Sequence, residues 1–329
     1  MRRDRRPLIL VAAESDEGMR LDRFLRERSS VLSRMFARDL LAAGGVTLNG
    51  KRVKIASRPL RAGDRVEVHV LAREHRSTAP PGMEPFRVVH EDAAVLVVDK
   101  APGVLVQPTR QGDRGTLLDL LSRYLRRRFP EVRSPYLGLL HRIDRETSGL
   151  LLFSRRGSAN RILADQFRTH AIAREYVALV RGSVPADSGT ISDPLHRAGP
   201  GLRRRSLQGP RGAGKEAVTH FRVLERWEIA TLLALRLETG RTHQIRIHLS
   251  ERGHPVIGDK VYSSTGPFPP NPLLDRFPRH ALHARRLGFT HPVTGQWMEF
   301  ESPLPDDFAG LLISLRAGFS AGGTPASSL

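Results

Sequence analysis

The chain has 329 residues, and its 53 lysines and arginines exceed its 34 aspartates and glutamates by 19. Such an excess of positive charge favours a polyanionic partner, either nucleic acid or an anionic membrane surface, over a merely solvated basic surface. The chain has no cysteine, which excludes disulfides, thiolate metal sites and a cysteine nucleophile. No apolar stretch approaches the length of a membrane span, so we expect a cytoplasmic protein without a membrane partner.

Composition divides the chain into two folded regions joined by a polar linker that ends in proline and glycine. The small polar residues at the end of the chain predict a disordered tail. The predicted segments are, in order, a basic tail with one strand (1–16), a small basic α+β domain (17–72), the linker (73–85), a large domain (86–316) and the disordered tail (317–329).

The first region has the signals of a short helix and a hairpin. Ser33 can cap a helix with apolar residues on one face, and Gly44-Gly45 ends it. Asn49-Gly50 predicts a tight hairpin between 46–48 and 51–53, and an alternating strand follows at 65–70. Six basic side chains surround these elements: Arg20, Arg23, Arg34, Arg38, Lys51 and Arg52.

The second region combines short apolar runs, typical of strands, with segments of helical spacing. Its strands do not alternate strictly with long helices, which disfavours a doubly wound parallel sheet and favours a mixed sheet in an α+β fold. A proline-rich stretch, 264–278, is predicted to be a surface loop. The predicted helices are 116–129, 158–170 and 242–251, the last capped by Thr242, and the predicted strands are 95–98, 149–153, 176–180, 218–224 and 232–237.

A polar segment leads directly into the buried strand at 149–153, and it carries Asp144 beside Arg142 and Arg145. A carboxylate beside arginine stays ionised at neutral pH. Such a carboxylate can act as a nucleophile or stabilise positive charge at a sugar carbon. On spacing alone, however, the favoured interpretation is that Asp144 lies in a simple turn.

Four segments of the first region resemble the S4 RNA-binding domain. The resemblance implies contact with structured RNA through the six basic residues named above, with Arg34 and Arg38 facing phosphate; the alternative is that these arginines only solvate a helix. Met35 departs from the family, in which a second polar or basic residue often follows Ser-Arg. The matching segments are RLDRFL (20–25), LSR (32–34), GVTLNGK (45–51) and AGD (62–64).

The segment HRIDRETSGLLLF, 141–153, resembles the signature of RluA-type pseudouridine synthases, with Ile143 in place of leucine. This resemblance implies a catalytic role for Asp144, and it implies that Arg142 holds a flipped-out nucleotide. Residues 174–182 resemble a second family segment, which implies that Tyr176 stacks on the target base. Arg174 stands there for the family's lysine and is expected at the substrate.

The segment LETGRTHQIRIHL, 237–249, resembles a third family segment. It implies that Arg241 pairs with the catalytic aspartate and that His243 and Arg246 contact the substrate. A metal site built on His243, His248 and His254 is disfavoured, because their spacing fits no established ligand pattern and the family uses no metal.

These resemblances cover about residues 17–305, and they imply an enzyme on a mixed, mainly antiparallel sheet with flanking helices. The expected reaction is isomerisation of uridine to pseudouridine in structured RNA, without a cofactor, because the product is an isomer. Large-subunit ribosomal RNA is the expected substrate, transfer RNA is the alternative, and a monomer is the expected state. The other class is a non-catalytic RNA-binding or ribosome-assembly protein of the S4 type, and DNA binding is disfavoured.

Overall fold

A computed structural model describes most of the chain, and it divides the chain into two compact units. The first unit comprises residues 1–77 with 107–120, and the second comprises 78–106 with 121–329. The predicted linker lies outside the described residues apart from Glu84 and Pro85. The described residues are 8–28, 41, 44–68, 84–108, 113–132, 134–196, 214–263 and 268–320.

The described part of the first unit is a small antiparallel sheet whose buried side packs against a helix. Phe24 and Leu25 of the helix are fully buried against Val46 and Val66 of the sheet. The helix predicted from Ser33 lies outside the described residues except for Leu41. The elements are β1 (Leu8–Val11), α1 (Leu21–Arg28), β2 (Val46–Leu48), β3 (Lys51–Arg52) and β4 (Arg65–Val68), with sheet order β1-β4-β2-β3.

The predicted hairpin of this unit is confirmed. Asn49 and Gly50 both have positive φ, 50° and 76°, which is the geometry that joins two antiparallel strands through a two-residue turn. Glycine and asparagine adopt this conformation at little cost, so the turn follows directly from the local sequence.

Within the described residues, the second unit is built on a ten-stranded sheet. Its strands are β5 (Phe86–Glu91), β6 (Val95–Lys100), β7 (Gly138–Leu139), β8 (Ser148–Ser154), β9 (Ala173–Arg181), β10 (Ser188–Ile191), β11 (Thr219–Arg226), β12 (Ala230–Leu237), β13 (Leu282–Thr290) and β14 (Trp297–Glu301). They follow the order β10-β11-β12-β9-β13-β8-β6-β5, with β14 beside β13 and β7 beside β8. Among the strands that the structure describes, only β8 and β13 pair in parallel, so the predicted mixed, mainly antiparallel α+β fold is confirmed.

Two of the remaining helices were predicted with nearly their observed bounds, one was predicted with the wrong start, and two were not predicted as helices. The helix predicted from Thr242 begins at Gln244 and is preceded by His243 in the left-handed conformation, with no side-chain cap. The loop predicted over 264–278 contains a one-turn helix, which Asn271 caps. The helices are α2 (Leu117–Arg128), α3 (Gly157–Arg168), α4 (Gln244–Glu251), α5 (Pro272–Asp275) and α6 (Asp306–Ser320).

Helix α6 continues to Ser320, which lies inside the segment that was predicted to be disordered, because its leucines and Phe308 pack into the unit. Among the residues that the structure describes, no helix has the length and apolar character that crossing a membrane requires.

The centre of the large sheet brings the predicted site residues together. Ala284 of β13 pairs with Gly149 on one side and with Tyr176 on the other. Gly149 has a φ of 111°, and a Cβ there would overlap the carbonyl of Ala284, so only glycine permits this close approach. The loop that carries Asp144 therefore enters the sheet two strands away from Tyr176.

Candidate active site

One pocket of about 610 Å³ collects the predicted catalytic and substrate-binding residues of the second unit. Its size is in the range of sites for small ligands, and its lining mixes charged and apolar side chains. The residues predicted from sequence that line it are Arg142, Asp144, Arg174, Tyr176, Arg241, His243 and Arg246.

Asp144 lies in the loop between β7 and β8, where the backbone amide of Thr147 donates to its carbonyl over 3.2 Å. The side chain is 21% exposed, so the carboxylate is largely shielded from water but still reaches the pocket. Its Oδ2 accepts a hydrogen bond of 2.8 Å from Nη1 of Arg246, a residue 102 positions further along the chain. The pocket therefore contains a carboxylate with a fixed cationic partner.

Arg246 is held by a second carboxylate on its other side. Its Nε donates to Oδ2 of Asp259 over 2.6 Å and its Nη2 donates to Oδ1 over 2.9 Å. The guanidinium also lies over the ring of Tyr262, with Cζ 5.1 Å from the ring centre. Because two parallel hydrogen bonds fix the plane of the guanidinium, the direction of the N–H toward Asp144 is also fixed.

The charges around Asp144 determine its ionisation. Burial raises the pKa of the Asp144 carboxyl, but His243 and Arg246 outweigh burial, and the net pKa lies below the ordinary value of 3.8. The two carboxylates in turn hold the pKa of Arg246 above its ordinary value, against the effect of burial. Asp144 is therefore a carboxylate at neutral pH.

The pairing predicted between Arg241 and Asp144 was wrong: Arg246 takes that position. Arg241 is exposed at the edge of the pocket, and its Nε donates to the carbonyl of Glu216 over 3.0 Å. His243 has a φ of 60°, and this left-handed residue separates the exposed Arg241 from the inward-facing helix α4. Seven of the eight residues of α4 are buried, including Arg246.

His243 faces the same carboxylate from the opposite side. Its Nε2 lies 3.8 Å from Oδ1 of Asp144, and its Nδ1 is 2.9 Å from the hydroxyl of Tyr262. The other two histidines of the disfavoured metal site have different partners. His248 bonds to Thr219 and to the backbone of Asp193, and His254 bonds to the carbonyl of Arg181, so the three histidines do not converge.

Tyr176 and Arg174 project from β9 toward the pocket. Tyr176 is 7% exposed, and burial raises the pKa of its hydroxyl, so it stays neutral at physiological pH. Nη2 of Arg174 donates to the carbonyl of Glu238 over 3.2 Å, while Cζ lies 5.4 Å from the ring centre of Phe167. The exposed Arg142 donates to the hydroxyl of Thr242 over 3.2 Å and so lies at the rim.

Two residues of the site had no role assigned from sequence. Asp259 is fully buried and holds Arg246. The sequence signal that could have identified it is a carboxylate close to the segment 237–249, which contains Arg241 and Arg246. His141 lies beside Phe167 in the pocket wall, and its Nε2 accepts from the amide of Leu152. Burial, aided by the charge of Arg174, lowers the pKa of His141 to about 3.

The predicted RNA-binding residues of the first unit fall into three groups. Lys51 and Arg52 form the exposed outer strand of the hairpin. Arg20 and Arg23 are at least half exposed, and each pairs with an acid of α1, Asp22 or Glu27. Arg34 and Arg38 lie outside the described residues.

Comparison with known proteins decides the family. The sequence model of RNA pseudouridylate synthases matches residues 94–251, and that of the S4 domain matches residues 19–66. A ribosomal large subunit pseudouridine synthase D from Haemophilus influenzae is 35% identical over 323 residues, covering 95% of this chain and 97% of the relative. The chain belongs to the RNA pseudouridine synthase family.

Further members of this pseudouridine synthase family give the same result. An uncharacterized RNA pseudouridine synthase of Bacillus subtilis, YlyB, is 38% identical over 309 residues, covering 93% of this chain and 97% of the relative. Human RNA Pseudouridylate Synthase Domain Containing 4 has a solved structure that superimposes with a TM-score of 0.58 at 25% identity, covering 70% of this chain and 92% of that one. The predicted family, S4 domain, enzyme class and RNA partner are confirmed, whereas the roles of individual residues stay predictions.

Proposed function

We propose that the protein isomerises uridine to pseudouridine in large-subunit ribosomal RNA, with Asp144 as the catalytic carboxylate. The observation that carries this proposal is the ion pair of Asp144 with Arg246 in a pocket that also contains Tyr176. The choice of ribosomal over transfer RNA is supported by relatives such as the Haemophilus influenzae protein, which is named for the large ribosomal subunit.

In the proposed reaction, the target uridine leaves the RNA stack and enters the pocket, because its N1–C1′ bond is out of reach inside a helix. The flipped base stacks on the ring of Tyr176. Arg142 at the rim holds the displaced nucleotide, and Arg174 and His243 contact it inside. Arg241, at the exposed edge, is available to contact phosphate.

The bond rearrangement needs an ionised Asp144. The N1–C1′ bond breaks, the uracil turns, a C5–C1′ bond forms, C5 loses its proton and N1 gains one, so the product is an isomer. The carboxylate acts either as a nucleophile at C1′ or as a base, and both roles require its anionic form. His243 and Arg246 maintain that form, because together they outweigh the effect of burial on the pKa of Asp144.

The S4 domain supplies a second RNA contact through Lys51, Arg52, Arg20 and Arg23, and through Arg34 and Arg38. We further propose that the protein acts as a monomer in the cytoplasm, where ribosomal RNA is its substrate. One compact unit supplies all the residues that line the pocket, which supports activity without a second copy. Light scattering of the RNA-bound protein measures this state.

RNA tritiated at uracil C5 tests the proposal, because pseudouridine formation releases that hydrogen to water. Wild-type protein should release tritium from large-subunit ribosomal RNA. Asp144→Asn should release none while binding RNA with unchanged affinity. Asp187→Asn is the matched control, since Asp187 is 90% exposed and lies outside the pocket lining.

Each outcome of this experiment is informative. Release from transfer RNA alone would replace the proposed substrate, and release from no cellular RNA would contradict the proposal. Full activity of Asp144→Asn would remove Asp144 from the catalytic role and favour another group in the pocket.

A further inference from the structure

The turn that carries Asp144 is held mainly through its backbone. We define the Asp144 turn as residues 144–147, between the loop after β7 and the first residue of β8. The carbonyls of Arg145 and Glu146 in the middle of this turn belong to no strand ladder, and both residues are only partly exposed. Shielded carbonyls need hydrogen-bond donors from elsewhere in the chain.

Two buried side chains supply such donors, and the backbone amide of Gly103 also donates to the carbonyl of Arg145 over 2.9 Å. Nζ of Lys100 donates to the carbonyl of Arg145 over 2.9 Å, at the end of β6. Nη1 of Arg279 donates to the carbonyl of Glu146 over 2.9 Å, from a position 133 residues further along the chain. The carbonyls of Arg145 and Glu146 are therefore both held by groups that do not line the pocket.

Arg279 is itself immobilised. Its Nε and Nη2 donate to Oδ2 and Oδ1 of Asp307 over 2.7 and 2.9 Å, and its side chain is 4% exposed. Asp307 lies in the first turn of α6, where its Oδ1 also accepts from the amide of Phe308 over 2.7 Å. Since two bonds fix the plane of the guanidinium on Asp307, the position of Nη1 is fixed too. Nη1 makes its shorter hydrogen bond to Glu146, over 2.9 Å, and a longer one to the carbonyl of His280, over 3.4 Å.

We propose that Arg279, anchored by Asp307, is a positioning residue that fixes the Asp144 turn and connects the start of helix α6 to the active site. The proposal rests on the proposed catalytic role of Asp144. Arg279 does not line the pocket and has no hydrogen bond to Asp144, so it acts through the carbonyl of Glu146, two residues after the catalytic residue. A shift of about 1 Å at a reacting group reduces rates on the order of 100-fold, so backbone placement matters here.

The test is Arg279→Met in the full chain, measured by single-turnover tritium release and by RNA affinity. The variant loses the donor to Glu146 but keeps a side chain of comparable length. We expect a rate constant per folded protein that is roughly 10- to 100-fold lower, with an unchanged Kd for RNA. Arg279→Lys should recover part of the rate, because an ammonium can reach one of the two acceptors.

A matched control separates positioning from general stability. Arg316 also ties α6 to the sheet, through Glu225 of β11, but it does not contact the Asp144 turn. Arg316→Met should therefore leave the single-turnover rate within about twofold, even where its thermal midpoint falls. If Arg316→Met slows the reaction as much as Arg279→Met, the effect comes from loosening α6 and the proposal is overturned.

Two further variants keep the test decisive. Should Arg279→Met fail to fold, the partly exposed Asp307→Asn replaces it, and a wild-type rate in that folded variant overturns the proposal. Asp144→Asn is measured in parallel. If it retains full activity, the catalytic assignment fails; if it is inactive while the folded Arg279 and Asp307 variants react normally, only the positioning role fails.

Discussion

Two arginines of the second unit are anchored in the same way but hold different parts of the Asp144 turn. Arg246 and Arg279 are both at least 94% buried, and each donates Nε and Nη2 to one carboxylate. Nη1 of Arg246 reaches the side chain of Asp144, whereas Nη1 of Arg279 reaches the carbonyl of Glu146, two residues further along the same turn. A catalytic carboxylate must be ionised and must be held in position. Arg246 serves the first requirement, and Arg279 serves the second.

The two anchoring carboxylates differ in burial, and this difference predicts different costs. Asp259 is fully buried, while Asp307 is 33% exposed at the start of α6. Breaking a buried ion pair leaves an uncompensated charge away from water, whereas a partly exposed pair is screened by solvent. The charge of Asp144 therefore depends on a deeply buried network, and its position depends on a more accessible one.

The largest expected effect is on stability. Asp259→Asn should lower the free energy of unfolding by about 3–5 kcal/mol, because Arg246 loses half of its buried counter-charge. Asp307→Asn should lower it by less, because solvent screens the exposed side of this pair, although Arg279 itself stays buried. Urea unfolding followed by tryptophan fluorescence measures both, since Trp227 and Trp297 belong to the second unit. Equal losses in the two variants would contradict the difference in burial.

The next effect is on the pH profile. The wild-type single-turnover rate should show no loss from Asp144 protonation between about pH 8 and about pH 5, because the pKa of Asp144 lies below 3.8. In Arg246→Lys, one ammonium cannot hold Asp259 and Asp144 equally, so burial raises the pKa of Asp144. The rate should then fall as the pH is lowered toward about 5 and recover above it.

Other titratable groups near Asp144 are the same in Arg246→Lys and in the wild-type protein, so comparing the two proteins controls for their titration. Burial lowers the pKa of Lys100 to about 7 and that of His280 to about 3, and both residues are present in either protein. The difference between the two profiles therefore reports on the two carboxylates that Arg246 holds, Asp144 and Asp259. The other groups around Asp144, also common to both proteins, are His243 and Tyr176. Superimposable profiles would show that Arg246 does not control the ionisation of Asp144.

The smallest effect is expected in the first unit, on the exposed hairpin. Lys51→Ala or Arg52→Ala should weaken RNA binding and reduce the slope of log affinity against log salt by about 1, with an unchanged rate at saturating RNA. Arg65→Ala removes the same charge from a residue that already pairs with Glu67, and it serves as the control. A slower saturated rate in either hairpin variant would show that the hairpin contributes to more than binding.

Local sequence patterns predicted most of the fold. The Asn49-Gly50 turn, the helix at Leu117–Arg128 and the buried strand at Ser148–Ser154 all follow from residues that are neighbours in the chain. The cap of α4 was mispredicted, because Thr242 has the chemistry of a cap, but His243 takes the left-handed conformation that precedes the helix. The one-turn helix α5 was missed, since four residues are too few for a periodic pattern.

The sequence by itself determined that Asp144 stands at the entrance to a buried strand, within a motif that marks the family. It led to Arg241 as the partner of Asp144, and nothing local to the chain corrects that choice, because Arg241 and Arg246 are five positions apart and chemically identical. The tertiary structure corrects it, because only the fold turns α4 inward and leaves Arg241 at the edge. It also revealed Arg279, since a hydrogen bond across 133 residues depends on packing and leaves no local pattern in the chain.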